Sequence, residues 1–193
     1  HGASAADLAA RVLPRRQADL PIPATAPAFR QEARWRYCFE DFVVGPSNSM
    51  AVAAAQDVCR GGDVQTLFVN SASGLGKTHL AQAVGQALSQ KGNGARVAYL
   101  TAEEFASRFV ASLRSHTVED FKSRLRDPDV LLLEDVHFFQ GKEKMQDMAL
   151  NVVKSLQTKG GRVIFTSSFS PRELQRVDSQ LVSYFCSGIL TNM

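Results

Sequence analysis

Ser71-Ala72-Ser73-Gly74-Leu75-Gly76-Lys77-Thr78 is the stretch around which the chain is organised. It follows an apolar run, Thr66-Leu67-Phe68-Val69-Asn70, that reads as a buried strand, and it opens onto His79–Leu88, which reads as a helix. A strand, a glycine-rich turn and a helix joined at Gly-Lys-Thr make a phosphate-binding loop. Glycines let backbone N–H groups curl around a triphosphate, and the helix N-terminus adds partial positive charge. Lys77 is placed to reach the β/γ-phosphates and Thr78 to offer its hydroxyl to Mg²⁺. Ser71 stands where the full pattern has glycine. If that position needs a positive φ, serine costs on the order of 1–3 kcal/mol; otherwise the change is mild. A dinucleotide fingerprint fails, because His79 occupies the place of its third glycine.

The second element of the site is Val130-Leu131-Leu132-Leu133, a fully buried strand by composition, ending in Glu134-Asp135. Open α/β sheets place their chemistry at the carboxyl ends of strands. Downstream of a phosphate loop, these two acids read as one that holds Mg²⁺, here Glu134 with Thr78, and one that orients or deprotonates the attacking water. Arg162–Thr166 is a further strand, and Ser167-Ser168 at its end supplies hydroxyls toward a γ-phosphate.

At 193 residues and 45% hydrophobic, the chain suits one α/β domain with an appendage. Residues 1–36 hold six arginines, three acids and four of the seven prolines, and read as a linker or arm; a short helix fits residues 3–13. The remainder balances sixteen basic against sixteen acidic residues, so bulk charge alone does not argue for nucleic acid. Cys38, Cys59 and Cys186 form no metal or disulfide framework, and reduced, intracellular thiols are expected. No apolar run reaches the roughly 18 residues of a membrane span, and no signal peptide is legible. The chain opens His1-Gly2 instead of with methionine, which reads as a tag remnant.

Further along, Ser49 is expected to cap a helix that ends near Arg60, before Gly61-Gly62. Gly92-Asn93-Gly94 reads as a turn and Arg96–Thr101 as a strand. Phe105, Phe109 and Leu113, then Val118, Phe121 and Leu125, recur at helical spacing and predict tandem helices over 102–126. A helix is expected over 142–158, another helical stretch from Pro171, and a fifth strand within Ser183–Thr191. His79, His116 and His137 share no metal-ligand spacing and read as packing or surface residues.

From Tyr37 onward the series resembles the AAA+ domain of the bacterial replication initiator DnaA family. The resemblance rests on Phe39-Glu40-Asp41-Phe42-Val43-Val44-Gly45-Pro46-Ser47-Asn48, Gly74–Leu80, Glu119-Asp120-Phe121-Lys122 and Leu132–Phe139, with Thr166-Ser167, Pro171 and Glu173 continuing it. It implies a P-loop NTPase domain over 37–193: a five-stranded parallel sheet, phosphate-loop strand central, with helices on both faces. It implies ATP or ADP with Mg²⁺. Phe42, Val44, Gly45 and Asn48 would wrap the adenine. Ser73, Gly74, Leu75, Gly76, Lys77, Thr78 and His79 would hold the phosphates. Glu134, Asp135 and Ser168 would form the catalytic set. The tandem helices resemble an insertion that guides a single strand of nucleic acid, which assigns Arg108, Arg114 and Lys122 either to that strand or to a solvated surface. Other AAA+ subunits or replication proteins are the implied partners, in a bacterial cytoplasm.

The departures are Ser71 and Ala72 for glycines, Glu134 for the first of two aspartates, Ser168 for an acidic sensor, Tyr184 for the arginine finger and Gln180 for a nearby arginine. Tyrosine cannot replace a permanently charged bidentate fork, so hydrolysis is expected to be slow at most. No helical lid and no C-terminal helix-turn-helix are legible in these residues. The expectation is the nucleotide-binding domain of a DnaA-like initiator, with nucleotide as an assembly switch for DNA binding. The alternative is a DnaA-like regulator or helicase-loader-type adaptor working by protein contact with weak or no ATPase; a degenerate fold that no longer uses ATP is the third reading.

Overall fold

The computed structural model describes residues 35–90 and 94–193. The expected arm, apart from Trp35 and Arg36, and the turn at Gly92-Asn93 lie outside them, as does the helix assigned to 3–13.

The elements run α1 (Ser49–Arg60), β1 (Thr66–Asn70), α2 (Lys77–Gln90), β2 (Val97–Thr101), α3 (Ala102–Arg114), α4 (Val118–Arg126), β3 (Val130–Glu134), a 3₁₀ turn (Val136–Phe139), α5 (Glu143–Thr158), β4 (Arg162–Ser167), α6 (Ser179–Phe185) and β5 (Ile189–Asn192). The five strands are all parallel, in the order β2-β3-β4-β1-β5. The phosphate-loop strand β1 is therefore internal, but β4 is the middle strand, a correction to the expected centre.

Handedness explains the layers. Right-handed crossovers that travel in opposite directions along a sheet must lie on opposite faces. β1 to β2 travels one way, through α2; β2 to β3 to β4 to β5 travels the other, through α3–α6. Accordingly Leu67, Val69, Leu132 and Ile164 pack with α1 and α2 residues such as Val52, Val58, Leu80 and Val84. The alternate positions face the other way: Phe68 and Phe165 meet Phe185 of α6 at ring-centroid distances of 5.4 and 4.8 Å. Period-two alternation thus supplies two apolar faces from one strand.

The tandem helices over 102–126 are present, α3 closed by a capping box between Thr101 and Glu104. Phe105 and Phe121 join them edge to face, and Phe105 meets Phe139 of the 3₁₀ turn. Three local expectations are corrected. Asn48, not Ser49, precedes α1, and its carboxamide serves the preceding loop instead of the helix end. Residues 171–178 form turns, and the helix starts at Ser179, where the Asp178 carboxylate accepts from the N–H groups of Gln180 and Leu181. Ser183–Phe185 end that helix, so the fifth strand is confined to Ile189–Asn192.

Candidate functional site

β1, β3 and β4 end side by side, and the chain leaves β1 and β4 toward opposite faces. That divergence opens a crevice of about 480 Å³ lined by Tyr37, Ser73, Gly74, Gly76, Lys77, Thr78, His79, Asp135, His137 and Ser168.

Gly74 (φ +84°) and Gly76 (φ +99°) lie in the left-handed region that favours glycine. A Cβ on Gly76 would also stand 3.2 Å from the Phe42 ring. Ser71 is absent from the positive-φ positions, so the serine substitution carries no backbone strain there. Its N–H donates to Ser167 O (3.2 Å), tying the loop to β4. Lys77 is buried at the first turn of α2, its Nζ donating to the carbonyls of Ser71 (2.7 Å) and Ala72 (3.0 Å). An ammonium has three donors in all, so phosphate oxygens would share it with these carbonyls.

The expected adenine wrap is an ordered loop. The Gly45 N–H donates to Asn48 Oδ1 (2.8 Å), and Asn48 Nδ2 donates to Val43 O (3.0 Å). Phe42 is buried beneath His79, edge-on at 5.0 Å, whereas Val44 is exposed. Tyr37 stacks on His79 at 4.7 Å, and His79 Nε2 lies 2.9 Å from Cys38 O. Of the four residues expected to wrap an adenine, none lines the crevice itself, while Tyr37, which no motif flagged, does.

Glu134 is only 3% exposed. Its Oε2 accepts from the Tyr99 hydroxyl at 2.7 Å, while the buried Oε1 has no hydrogen-bond partner. Burial holds the Glu134 carboxyl above the usual carboxylate range, and the adjacent Asp135 charge adds to this; Tyr99, Thr78 and Lys77 oppose it. Burial and the same carboxylate push the Tyr99 phenol up. A buried, unpartnered carboxylate oxygen near a threonine hydroxyl fits a hard cation. Among the described residues no three or more His, Cys, Asp or Glu gather into a metal cage. Mg²⁺ takes one or two carboxylates plus phosphate oxygens, a set that Glu134 together with a bound triphosphate would supply.

The buried charge also predicts a stability effect. A carboxyl whose folded pKa is raised is most stabilising when protonated, and that contribution is lost as pH rises through the folded pKa. Glu134→Gln is therefore expected to raise the urea midpoint at neutral pH, with the difference shrinking on acidification into the carboxylate range. Equal midpoints at both pH values would refute this.

Asp135 sits just past β3 in the left-handed region (φ +56°), its N–H donating to Thr166 Oγ1 (3.1 Å). Turning the chain there brings His137 into the crevice. His137 Nδ1 accepts the Ser168 N–H (3.3 Å), which puts the proton of the neutral ring on Nε2. Burial lowers its pKa and Lys77 adds to this, against Asp135. His137, read from the sequence as a packing or surface residue, thus lines the crevice; its place two residues past Asp135 is the signal that was available. Ser168 reaches the crevice, but Ser167 does not: it is fully buried, its Oγ accepting from Phe169 N (3.0 Å).

The assigned nucleic-acid residues lie away from the crevice lining, on α3 and α4. Arg114 is exposed; Lys122 is half-buried and paired with Glu119 at 2.5 Å. No helix among the described residues is long and apolar enough to cross a membrane.

The family model described as the bacterial DnaA ATPase domain matches residues 33–192. A chromosomal replication initiator protein DnaA of Oleidesulfovibrio alaskensis is 52% identical over 185 residues, which is 94% of this chain and 40% of that protein. The chain therefore spans about two-fifths of that relative's length. A solved replication initiator DnaA bound to AMPPCP and single-stranded DNA superposes with a TM-score of 0.78 at 33% identity, over 81% of this chain and 49% of that one. The DnaC helicase loader superposes at 0.69 with 15% identity, over 83% of this chain and 98% of that one, a likeness of fold alone.

Proposed function

The chain belongs to the bacterial DnaA ATPase-domain family, and on that premise we propose that it is the ATP- and ADP-binding domain of a DnaA-like replication initiator, with nucleotide as the assembly switch for DNA binding. The observation that carries this reading is the cradle itself: two glycines in the left-handed region, a buried lysine at the helix start and an orphaned carboxylate oxygen beside it.

In this reading the N–H groups of residues 73–78 and the Lys77 ammonium bind the phosphates. Phe42, Val44, Gly45 and Asn48 form the adenine side, with Tyr37 and His79 stacked at its edge. Thr78 and Glu134 hold Mg²⁺, which when bound neutralises phosphate charge. Asp135 orients water, and neutral His137 anchors Ser168 through its backbone. Equilibrium titration with labelled ATP and ADP, with and without Mg²⁺, tests the reading. Binding at micromolar nucleotide is expected; none at millimolar nucleotide would overturn it.

The AMPPCP- and DNA-bound neighbour supports a nucleic-acid partner; the family resemblance of the tandem helices is what assigns that strand to residues 102–126. Arg114 is the exposed cation there. Arg114→Glu is expected to weaken ATP-dependent binding to single strands and to lower the salt slope by about 0.7 for the lost phosphate contact. An unchanged slope would return Arg114 to the solvated surface. The second reading, an adaptor with weak or no ATPase, is favoured by Tyr184, half-buried on α6 at the position the family resemblance gives to an arginine. ATP-driven self-assembly of this protein would count against it.

A further inference from the structure

The carboxylate that differs from the family pattern is also the one with a dedicated clamp. Glutamate is one methylene longer than aspartate and has an extra rotatable bond, so its carboxylate has more positions to choose from and needs more to hold it in one. Here one oxygen is fixed by the 2.7 Å bond from Tyr99, and the other is left without a partner. Tyr99 reaches it because β2 and β3 are adjacent and parallel, with Tyr99 opposite Leu132 and Thr101 opposite Glu134. The phenol spans the two-residue step along the strand.

The hydroxyl is itself oriented. Gln82 Nε2 donates to the Tyr99 oxygen (3.3 Å), and Gln82 Oε1 accepts the Arg36 N–H (3.2 Å). An oxygen already accepting from Gln82 turns its own proton onward to Glu134. The chain of bonds therefore runs one way, from the lead-in backbone through α2 and β2 to the end of β3. Trp35 secures its start: its ring lies edge-on to Tyr99 at 5.7 Å, and a Cβ on Gly85 of α2 would stand 2.2 Å from it.

We propose that Tyr99 is a positioning residue for Mg²⁺–nucleotide binding, holding Glu134 Oε2 so that Oε1 alone is presented, and that Gln82 and the Trp35-Arg36 backbone set this clamp. The inference rests on the nucleotide reading above and adds a residue outside the phosphate-loop and acidic motifs. The lead-in segment thereby becomes a second input to the carboxylate, reaching it from β2 instead of from the phosphate loop.

The test is nucleotide affinity measured with and without Mg²⁺, using labelled ADP. Tyr99→Phe removes the donor and keeps the ring. It is expected to cut the Mg²⁺-dependent gain in affinity about three- to tenfold and to leave metal-free affinity unchanged. Gln82→Ala should lower the same gain by a smaller factor. In a Glu134→Asp background the carboxylate retreats by about 1.5 Å, one carbon–carbon bond, and Tyr99→Phe should then have no further effect. A full Mg²⁺ gain in Tyr99→Phe overturns the inference, whatever Gln82→Ala shows, as does an equal loss with and without metal, the mark of a packing defect. If the unmodified protein binds no nucleotide, the proposed function itself fails, a distinct result.

Discussion

Lys77→Ala is expected to lower ATP affinity at least about a hundredfold. Hydrogen bonds to charged groups contribute about 1.5–3 kcal/mol each, and each 1.4 kcal/mol is a factor of ten in affinity. Lys77 would bring full positive charge to a group carrying several negative ones, from a position only 7% exposed. An ammonium buried at the helix start meets the phosphates with little competing solvent, so the loss falls at the upper end of that range. The same ammonium also bonds the Ser71 and Ala72 carbonyls. The variant therefore needs a fold check, by far-UV circular dichroism and a urea midpoint. A folded Lys77→Ala protein with unchanged affinity would remove the phosphate loop from the function altogether.

Phe185→Ala is expected to destabilise the domain by about 3–5 kcal/mol, the usual cost of emptying a buried phenylalanine site. The ring is fully buried and touches Phe68 of β1 and Phe165 of β4. It is the main apolar anchor of α6, a helix of only seven residues that cannot persist without tertiary packing. A domain of this kind has about 5–15 kcal/mol in total, so the variant should show a strongly reduced urea midpoint. The effect should extend to β5, which follows α6 and pairs with β1. Gly188, just before β5, passes so close to β1 that a Cβ there would stand 2.0 Å from Thr66 O. A loss below about 1 kcal/mol would mean that α6 is held by its polar contacts instead.

Those polar contacts are substantial. Gln146 of α5, 3% exposed, donates to the carbonyls of Phe139 and Arg176 and accepts the Asp178 N–H. It closes the turns of residues 171–178 onto the 3₁₀ turn that follows the acidic pair. Nothing in the local pattern of residues 171–178 reveals this. Proline at 171 opens many helices, but here backbone groups of Arg176 and Asp178 are claimed by Gln146, and the Asp178 side chain caps a later start.

What the sequence determined by itself is whatever depends on neighbours in the chain. The five strand segments carry runs of apolar residues, the tandem helices carry 3.6-residue periodicity, and the phosphate loop is a local backbone shape dictated by Gly74 and Gly76. These follow from steric and hydrophobic rules that act over a few residues. Eight of the ten crevice-lining residues were legible for the same reason: six fall within the contiguous run Ser73 to His79, and Asp135 and Ser168 follow recognisable strands; Tyr37 and His137 were not. The rest came from contacts between segments far apart in the chain. Tyr99 and Glu134 are 35 residues apart, and they meet because crossover handedness and strand order set β2 beside β3. His137 enters the site because Asp135 takes a left-handed turn. Ser167 turns inward where Ser168 turns out, since successive positions along a strand and its exit point to opposite sides. Each depends on contacts between distant segments, whose energies no local pattern encodes.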